Sequence, residues 1–245
     1  MKTSIKVATC QVPEVREDTD AALSWIENYA ERARIADASL VCFPECFLQG
    51  YLVQEELARR NAINLTSAVF SNMLRRLADA KPALVFGMIE ADAGSLFNTA
   101  VVVNRGQLVG KYRKMHLLPG ESIFSPGTSC PVFEAGCLTF GINVCSDTQF
   151  PETAAAVTAQ GGSLIVCPAN NMMRRENAEK WKHRHNEIRA LRAKETGLWL
   201  VSSDVTGIHG DSVGLGPTCV INPDGAVVAQ VPLMEVGIVT SEIAW

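Results

Sequence analysis

The 245-residue sequence has no apolar run approaching the roughly 20 residues that a membrane-spanning helix needs. It opens on Met1-Lys2-Thr3-Ser4-Ile5-Lys6, which leads straight into an apolar strand and does not read as a secretory leader. It has no excess of basic charge. Lys and Arg number 22 against 26 Asp and Glu, for a net charge of −4, and no basic patch of nucleic-acid type is visible. The one basic run, Lys180 to Arg192, is flanked and interleaved by Glu179, Glu187 and Glu195, as a solvated helix face is. There is no Cys-x-x-Cys pair, and four scattered His residues do not make a zinc spacing. Repeats, low-complexity tracts and linkers are also missing, so residues 1–245 read as one domain. These gaps argue against a membrane span, a nucleic-acid partner and a metal module. They leave the expectation of a cytoplasmic, reduced chain with no metal and no cofactor.

What is present is a set of short apolar strands alternating with amphipathic helices, which suggests α/β layering. Hydrophobic residues make up 47% of the chain and charged residues 20%, ordinary for a globular protein with a sizeable core. Most of the eight cysteines (Cys10, Cys42, Cys137, Cys167 and Cys219 among them) fall in or beside apolar strand patterns, as reduced core residues do. Apolar periodicity predicts a helix to about Asp37 behind an Asp18-Thr19-Asp20 cap. It predicts another behind Thr66-Ser67 and a long one from Glu176 to Thr196. Asn104-Arg105-Gly106 and Pro223-Asp224-Gly225 read as hairpin turns. The count comes to roughly ten strands and four or five helices by this reading.

Three strand ends carry reactive groups. Leu138 to Val144 reads as a buried strand that delivers Cys145, followed by Ser146-Asp147-Thr148-Gln149-Phe150-Pro151-Glu152. There a thiol meets a helix start, where backbone N–H groups stabilise a thiolate or an oxyanion. Leu40-Val41-Cys42-Phe43-Pro44 delivers Glu45, and an apolar hairpin leads into Lys111-Tyr112-Arg113-Lys114-Met115-His116-Leu117. A base, a cation and a thiol at strand ends form a constellation for covalent catalysis. His116 stands alone and reads as a structural hydrogen-bonder.

Phe43-Pro44-Glu45, Arg113-Lys114-Met115-His116-Leu117 and the run from Cys145 to Glu152 occur in the order of three signatures that the chain shares with the nitrilase superfamily of carbon–nitrogen hydrolases. The resemblance extends over nearly the whole chain. It implies a four-layer α-β-β-α sandwich, two mainly β-sheets flanked by helices, and subunits that commonly pair. It also implies Cys145 as nucleophile, Glu45 as base, Lys114 at the oxyanion, and Glu121, after Pro119-Gly120, as a second acid. The backbone N–H of Ser146 is the candidate second oxyanion donor. Gln149 and Asn170 are candidates for substrate binding.

Nitrile-cleaving relatives usually follow the nucleophile with Trp-Glu, whereas Ser146-Asp147 stands here, which disfavours nitriles. Several acid-specific relatives place an Arg near the Phe-Pro-Glu, where this chain has Gln149; Arg174 or Arg175 is then the candidate for a substrate carboxylate. The expected substrate is a small linear amide or N-carbamoyl compound. Acyl transfer to an amine uses the same residues. A binding protein that keeps the fold without turnover is the reading from another class.

Overall fold

The computed structural model describes residues 3–245. The first half of the chain forms β1 (Ser4–Pro13), α1 (Thr19–Ile35), β2 (Leu40–Cys42), α2 (Glu55–Asn61), α3 (Ala68–Arg76), β3 (Ala83–Asp92), β4 (Ser95–Asn104) and β5 (Gln107–Arg113). The second half opens with β6 (Val132–Ala135), β7 (Leu138–Ile142), α4 (Pro151–Ala159), β8 (Leu164–Pro168), β9 (Met173–Arg174) and α5 (Arg175–Trp181). It closes with α6 (Arg184–Thr196), β10 (Trp199–His209), β11 (Ser212–Leu215), β12 (Cys219–Ile221), β13 (Val227–Gln230) and β14 (Gly237–Ala244).

Local chemistry explains the elements. The Asp18 carboxylate accepts the Ala21 N–H at 2.9 Å and starts α1, whose Ala22, Ile26, Tyr29, Ala30 and Ala33 make one buried stripe. Ser67 Oγ accepts the Phe70 N–H at 3.1 Å and starts α3. Asn104-Arg105-Gly106 closes the β4–β5 hairpin with Arg105 and Gly106 both at positive φ.

The strands run in the order β5-β4-β3-β2-β1-β10-β8-β7-β6. The end of β10 pairs in parallel with β1 (Gln11 opposite Asp204), while its beginning pairs in parallel with β8 (Trp199 opposite Leu164). One strand thus passes between two layers that face each other. Val7, Leu40, Val85, Val102, Phe140, Val166 and Val220 fill the space between the sheets. Ile26, Tyr29, Phe70 and Phe86 seal α1 and α3 against the first sheet. Val157, Ile165, Ala193 and Leu200 seal α4 and α6 against the second. This is the α-β-β-α order. A fully buried Phe140 contributes about 2–3 kcal/mol. An exposed pair such as Arg34–Glu31 is screened by water and adds little, so the stacking of layers rests on apolar faces.

The structure departs from the pattern read from sequence in several places. Among the described residues there are fourteen strands and six helices, because short edge strands carry little periodicity. The long helix expected over 176–196 is two helices that part at Lys182–His183: α5 packs on β9 and β11, whereas α6 packs on β10 and β12. Cys137 lies exposed in the β6–β7 turn and not in the core, while Cys10, Cys42, Cys167 and Cys219 are buried free thiols. The strand expected to reach Val144 ends at Ile142. No helix among the described residues is long and apolar enough to cross a membrane.

Candidate active site

Glu45 enters on the turn after β2. This turn lies directly on β3: the Gly87 N–H donates to the Pro44 carbonyl at 2.9 Å, and the Leu48 N–H donates to the Gly87 carbonyl at 3.0 Å. A Cβ on Gly87 would stand 2.6 Å from the Glu45 Cα, so only glycine allows this approach. Lys114 follows β5. Its backbone is pinned on both sides, donating to the Asn98 carbonyl and accepting from the Gly127 N–H, each at 2.8 Å. Arg113, one residue earlier, turns the other way; it pairs with buried Glu90 at 2.8 Å and lies 3.5 Å above the Phe97 ring. Glu121 ends a single 3-10 turn, Pro119–Glu121, in which its own carboxylate accepts the Leu118 N–H at 2.7 Å.

Cys145 opens a second 3-10 turn, Cys145–Gln149, and sits at φ +46. A non-glycine residue in that region costs roughly 1–3 kcal/mol, and its surroundings hold it there. Asp147 is the brace. Its carboxylate accepts from Tyr112 Oη at 2.8 Å, the His116 N–H at 2.8 Å and the Val144 N–H at 3.0 Å. One side chain therefore joins the end of β5 to the end of β7.

The side chains of Glu45, Lys114 and Glu121 meet in a buried cluster. Lys114 Nζ lies 2.7 Å from Glu45 Oε1 and 2.8 Å from Glu121 Oε1. Asn98 Nδ2 donates to the same two oxygens at 2.7 and 3.1 Å. The Asn170 N–H donates to Glu45 Oε2 at 3.0 Å. Burial raises the Glu45 pKa above its ordinary 4.5, more than the Lys114 charge lowers it. For Lys114, burial works against the ammonium, but the charges of Glu45 and Glu121 more than offset it and keep the lysine protonated. Burial, and then the Glu45 charge, pushes the Cys145 thiol well above 9.0, so the resting residue is a thiol.

Cys145 is half-buried and lines a cavity of about 260 Å³. Leu118, Met173, Trp181 and Ile188 give that cavity apolar walls. Arg189 and Asn171 are buried polar liners, with 2% and 6% of their surface exposed. The Arg189 guanidinium faces Asp204, 3.6 Å away. Burial lowers the His185 pKa to about 3, so this wall residue is neutral at physiological pH.

The structure brings Glu45, Lys114 and Glu121 together and sets Cys145 within reach of the charges of Glu45 and Lys114. Ser146 and Gln149 line the cavity, but the Ser146 hydroxyl is spent on the His116 carbonyl at 2.7 Å, and Gln149 is exposed. The Asn170 side chain turns to Glu14 at 3.3 Å and to the Met172 N–H at 3.1 Å, so the cavity wall expected of it belongs to Asn171. Arg174 and Arg175 are exposed and open onto a different surface, beside Glu176 and Asp211. The His116 ring stacks on Phe150 at 3.7 Å, and its Nε2 makes no hydrogen bond among the described residues. The hydrogen bonding expected of His116 is made by its backbone. Sequence reasoning passed over Asn98 and Asp204. Each lies in a strand beside other polar residues, Asn98 next to Thr99 and Asp204 after Ser202 and Ser203, so residue order alone does not single it out.

The family model for carbon–nitrogen hydrolase matches residues 6–245. The chain is 30% identical over 247 residues to a nitrilase of Pyrococcus abyssi, across 98% of this chain and 89% of that one. It is 28% identical over 215 residues to a glutamine-dependent NAD(+) synthetase of Rhodobacter capsulatus, but spans only 38% of that protein's length. In structure it is similar to an amidase from Nesterenkonia sp., with a TM-score of 0.80 and 25% identity over 98% of this chain and 90% of the amidase. A variant of that amidase carrying acrylamide on its active-site cysteine by Michael addition matches with a TM-score of 0.83 at 25% identity, over 96% of this chain and 92% of the variant. With a family model spanning nearly all of its length and an amidase sharing its layers, the chain belongs to the carbon–nitrogen hydrolase family, in the nitrilase superfamily.

Proposed function

We propose that this protein hydrolyses the C–N bond of a small, uncharged amide through a thioester on Cys145. The observation that carries the reading is the position of Cys145: a free thiol on an apolar cavity, within reach of the charges of Glu45 and Lys114, which pair in a buried cluster with Glu121. Glu45, with its raised pKa, takes the thiol proton as Sγ attacks the carbonyl carbon. The oxyanion is met by the Lys114 ammonium and the Ser146 N–H. Glu45 returns the proton to the leaving nitrogen, and ammonia or an amine departs. Water then cleaves the thioester, with Glu45 or Glu121 as base, and the acid leaves.

The cavity wall supports an uncharged acyl chain. Its guanidinium is neutralised by Asp204, and Arg174 and Arg175 open elsewhere. An N-carbamoyl amino acid would bring a carboxylate into this wall without a free cation to meet it. The reading further takes residues 1–245 as a single hydrolase domain working in a reducing compartment, with two or more copies assembled.

The test is ammonia release by wild type and Cys145→Ala from a panel of aliphatic amides, ω-amides, N-carbamoyl amino acids and nitriles. Release from uncharged amides by wild type alone supports the reading. A wild type silent on every amide sinks it, and turnover of nitriles alone replaces it.

A further inference from the structure

Asn171 is fixed more tightly than a pocket wall needs. Its backbone N–H donates to Asp204 Oδ1 at 2.9 Å, and its side-chain Nδ2 donates to Asp204 Oδ2. Asp204 is wholly buried, and its Oδ1 also accepts the Val205 N–H at 2.9 Å. Behind it, Arg189 contacts Oδ2 at 3.6 Å while donating to the Pro217 carbonyl at 2.8 Å and to Asn186 Oδ1 at 3.1 Å. An ionised carboxylate only accepts hydrogen bonds, so the Asn171 amide has one orientation. Its NH₂ faces Asp204, and its carbonyl oxygen faces the cavity.

That oxygen, Oδ1, lies 3.9 Å from Cys145 Sγ, and the weak S–H donor is its sole partner among the described residues. The two Glu45 oxygens differ: one already takes Lys114 and Asn98, the other the Asn170 N–H. Asn171 Oδ1 is thus an acceptor at the thiol that no strong donor occupies. Attack on a primary amide puts the substrate NH₂ beside the sulfur, and that group brings two N–H donors. An acceptor aimed at the nucleophile rewards a nitrogen that carries hydrogen over an ester oxygen, which carries none.

We propose that Asn171 Oδ1, held by Asp204 and Arg189, accepts an N–H of the scissile amide and selects amides over esters of the same acid. Asn171 would touch the substrate; Asp204 and Arg189 are positioning residues that act through it. This rests on the amide-hydrolase reading above.

The test pairs a primary amide with the methyl ester of the same short aliphatic acid. Kinetics of both are measured in wild type, Asn171→Leu and Asp204→Asn. The expected result is a roughly 10- to 100-fold fall in kcat/KM for the amide in Asn171→Leu, with the ester changed less than about threefold. Asp204→Asn, which frees the amide to rotate, should move the ratio in the same direction. Equal losses on both substrates would mean that Asn171 merely supports the cavity and would overturn the proposal. Because these variants remove buried partners, binding to Cys145→Ala with Asn171 intact gives a second reading. There the amide should bind at least about fivefold more tightly than the ester. Equal binding also overturns the proposal. A wild type that cleaves neither substrate refutes the hydrolase reading itself, a result distinct from cleavage without discrimination.

Discussion

Lys114 Nζ lies 2.7 Å from Glu45 Oε1, and both side chains are buried. The same ammonium reaches Glu121 Oε1 at 2.8 Å, so one cation holds two carboxylates out of water. Removing one member of a buried ionic group leaves an uncompensated charge, which costs more than the pair itself contributes. Lys114→Met should therefore abolish amide turnover and lower unfolding stability by about 3–5 kcal/mol. Urea denaturation beside an ammonia assay checks both. A variant as stable as wild type would mean that the two carboxylates share a proton instead of the lysine.

The raised Glu45 pKa has a definite sign in each direction. As a base it must be ionised, so kcat/KM should fall as pH drops through a value above the ordinary 4.5. Stability moves oppositely. The folded state holds the Glu45 proton more firmly than the unfolded chain, so the contribution of this group weakens as pH rises from 4.5 through the folded value. A pH–rate profile tests the first statement. An acid limb at or below 4.5, or one that survives in Glu45→Gln, contradicts it.

Asp147→Asn keeps the shape of the brace but not its acceptors. One of the two side-chain atoms becomes an NH₂ that must face a donor, either the His116 N–H or the Val144 N–H with Tyr112 Oη. The expected cost is roughly 1–3 kcal/mol of stability. Because the Cys145 turn hangs on this carboxylate, kcat should fall more than KM rises. Calorimetry and steady-state kinetics on one preparation measure both, and an unchanged melting temperature would show that the brace carries no energy.

Gly87→Ala tests whether Glu45 is positioned by the packing of its turn on β3. The added methyl meets the Glu45 Cα at 2.6 Å, and backbone cannot step aside as a flexible side chain does. A shift of about an ångström at a catalytic group costs on the order of a hundredfold in rate. The variant should fold and lose most of its turnover. Near-wild-type activity would mean that the turn tolerates displacement.

The iodoacetamide response of the resting protein follows from the thiol pushed above 9.0. Alkylation of Cys145 should be slow at neutral pH, because the thiolate is the nucleophile. Adding an uncharged amide should then protect it by occupying the cavity. Mass spectrometry of the labelled peptide reads the rate. Fast labelling of free enzyme at neutral pH would show a thiolate already formed at rest.

Much of this was legible from residue order alone. Apolar strands that end in a reactive group mark Glu45 and Cys145, since such strands pack into a buried sheet and their ends lie at its edge. Lys114 follows β5, a half-exposed edge strand, and is marked by the Arg113-Lys114-Met115-His116-Leu117 run instead. The family signatures do the same for the layered fold. Helix starts at Asp18 and Ser67 were equally legible, because a cap acts through its own next three residues. What sequence could not place were polar residues whose partners lie far along the chain: Asn98 against Glu45, 53 residues apart, and Asn171 against Asp204, 33 apart. The same limit explains Asn170 and Asn171. As neighbours in a loop they are interchangeable by composition, and only the docking of β8 against β10 turns one toward Glu14 and the other toward the thiol. Residue type and spacing thus determined which groups this protein brings to its site. Tertiary packing decided which way each one points, because orientation is set by partners that adjacent residues do not supply.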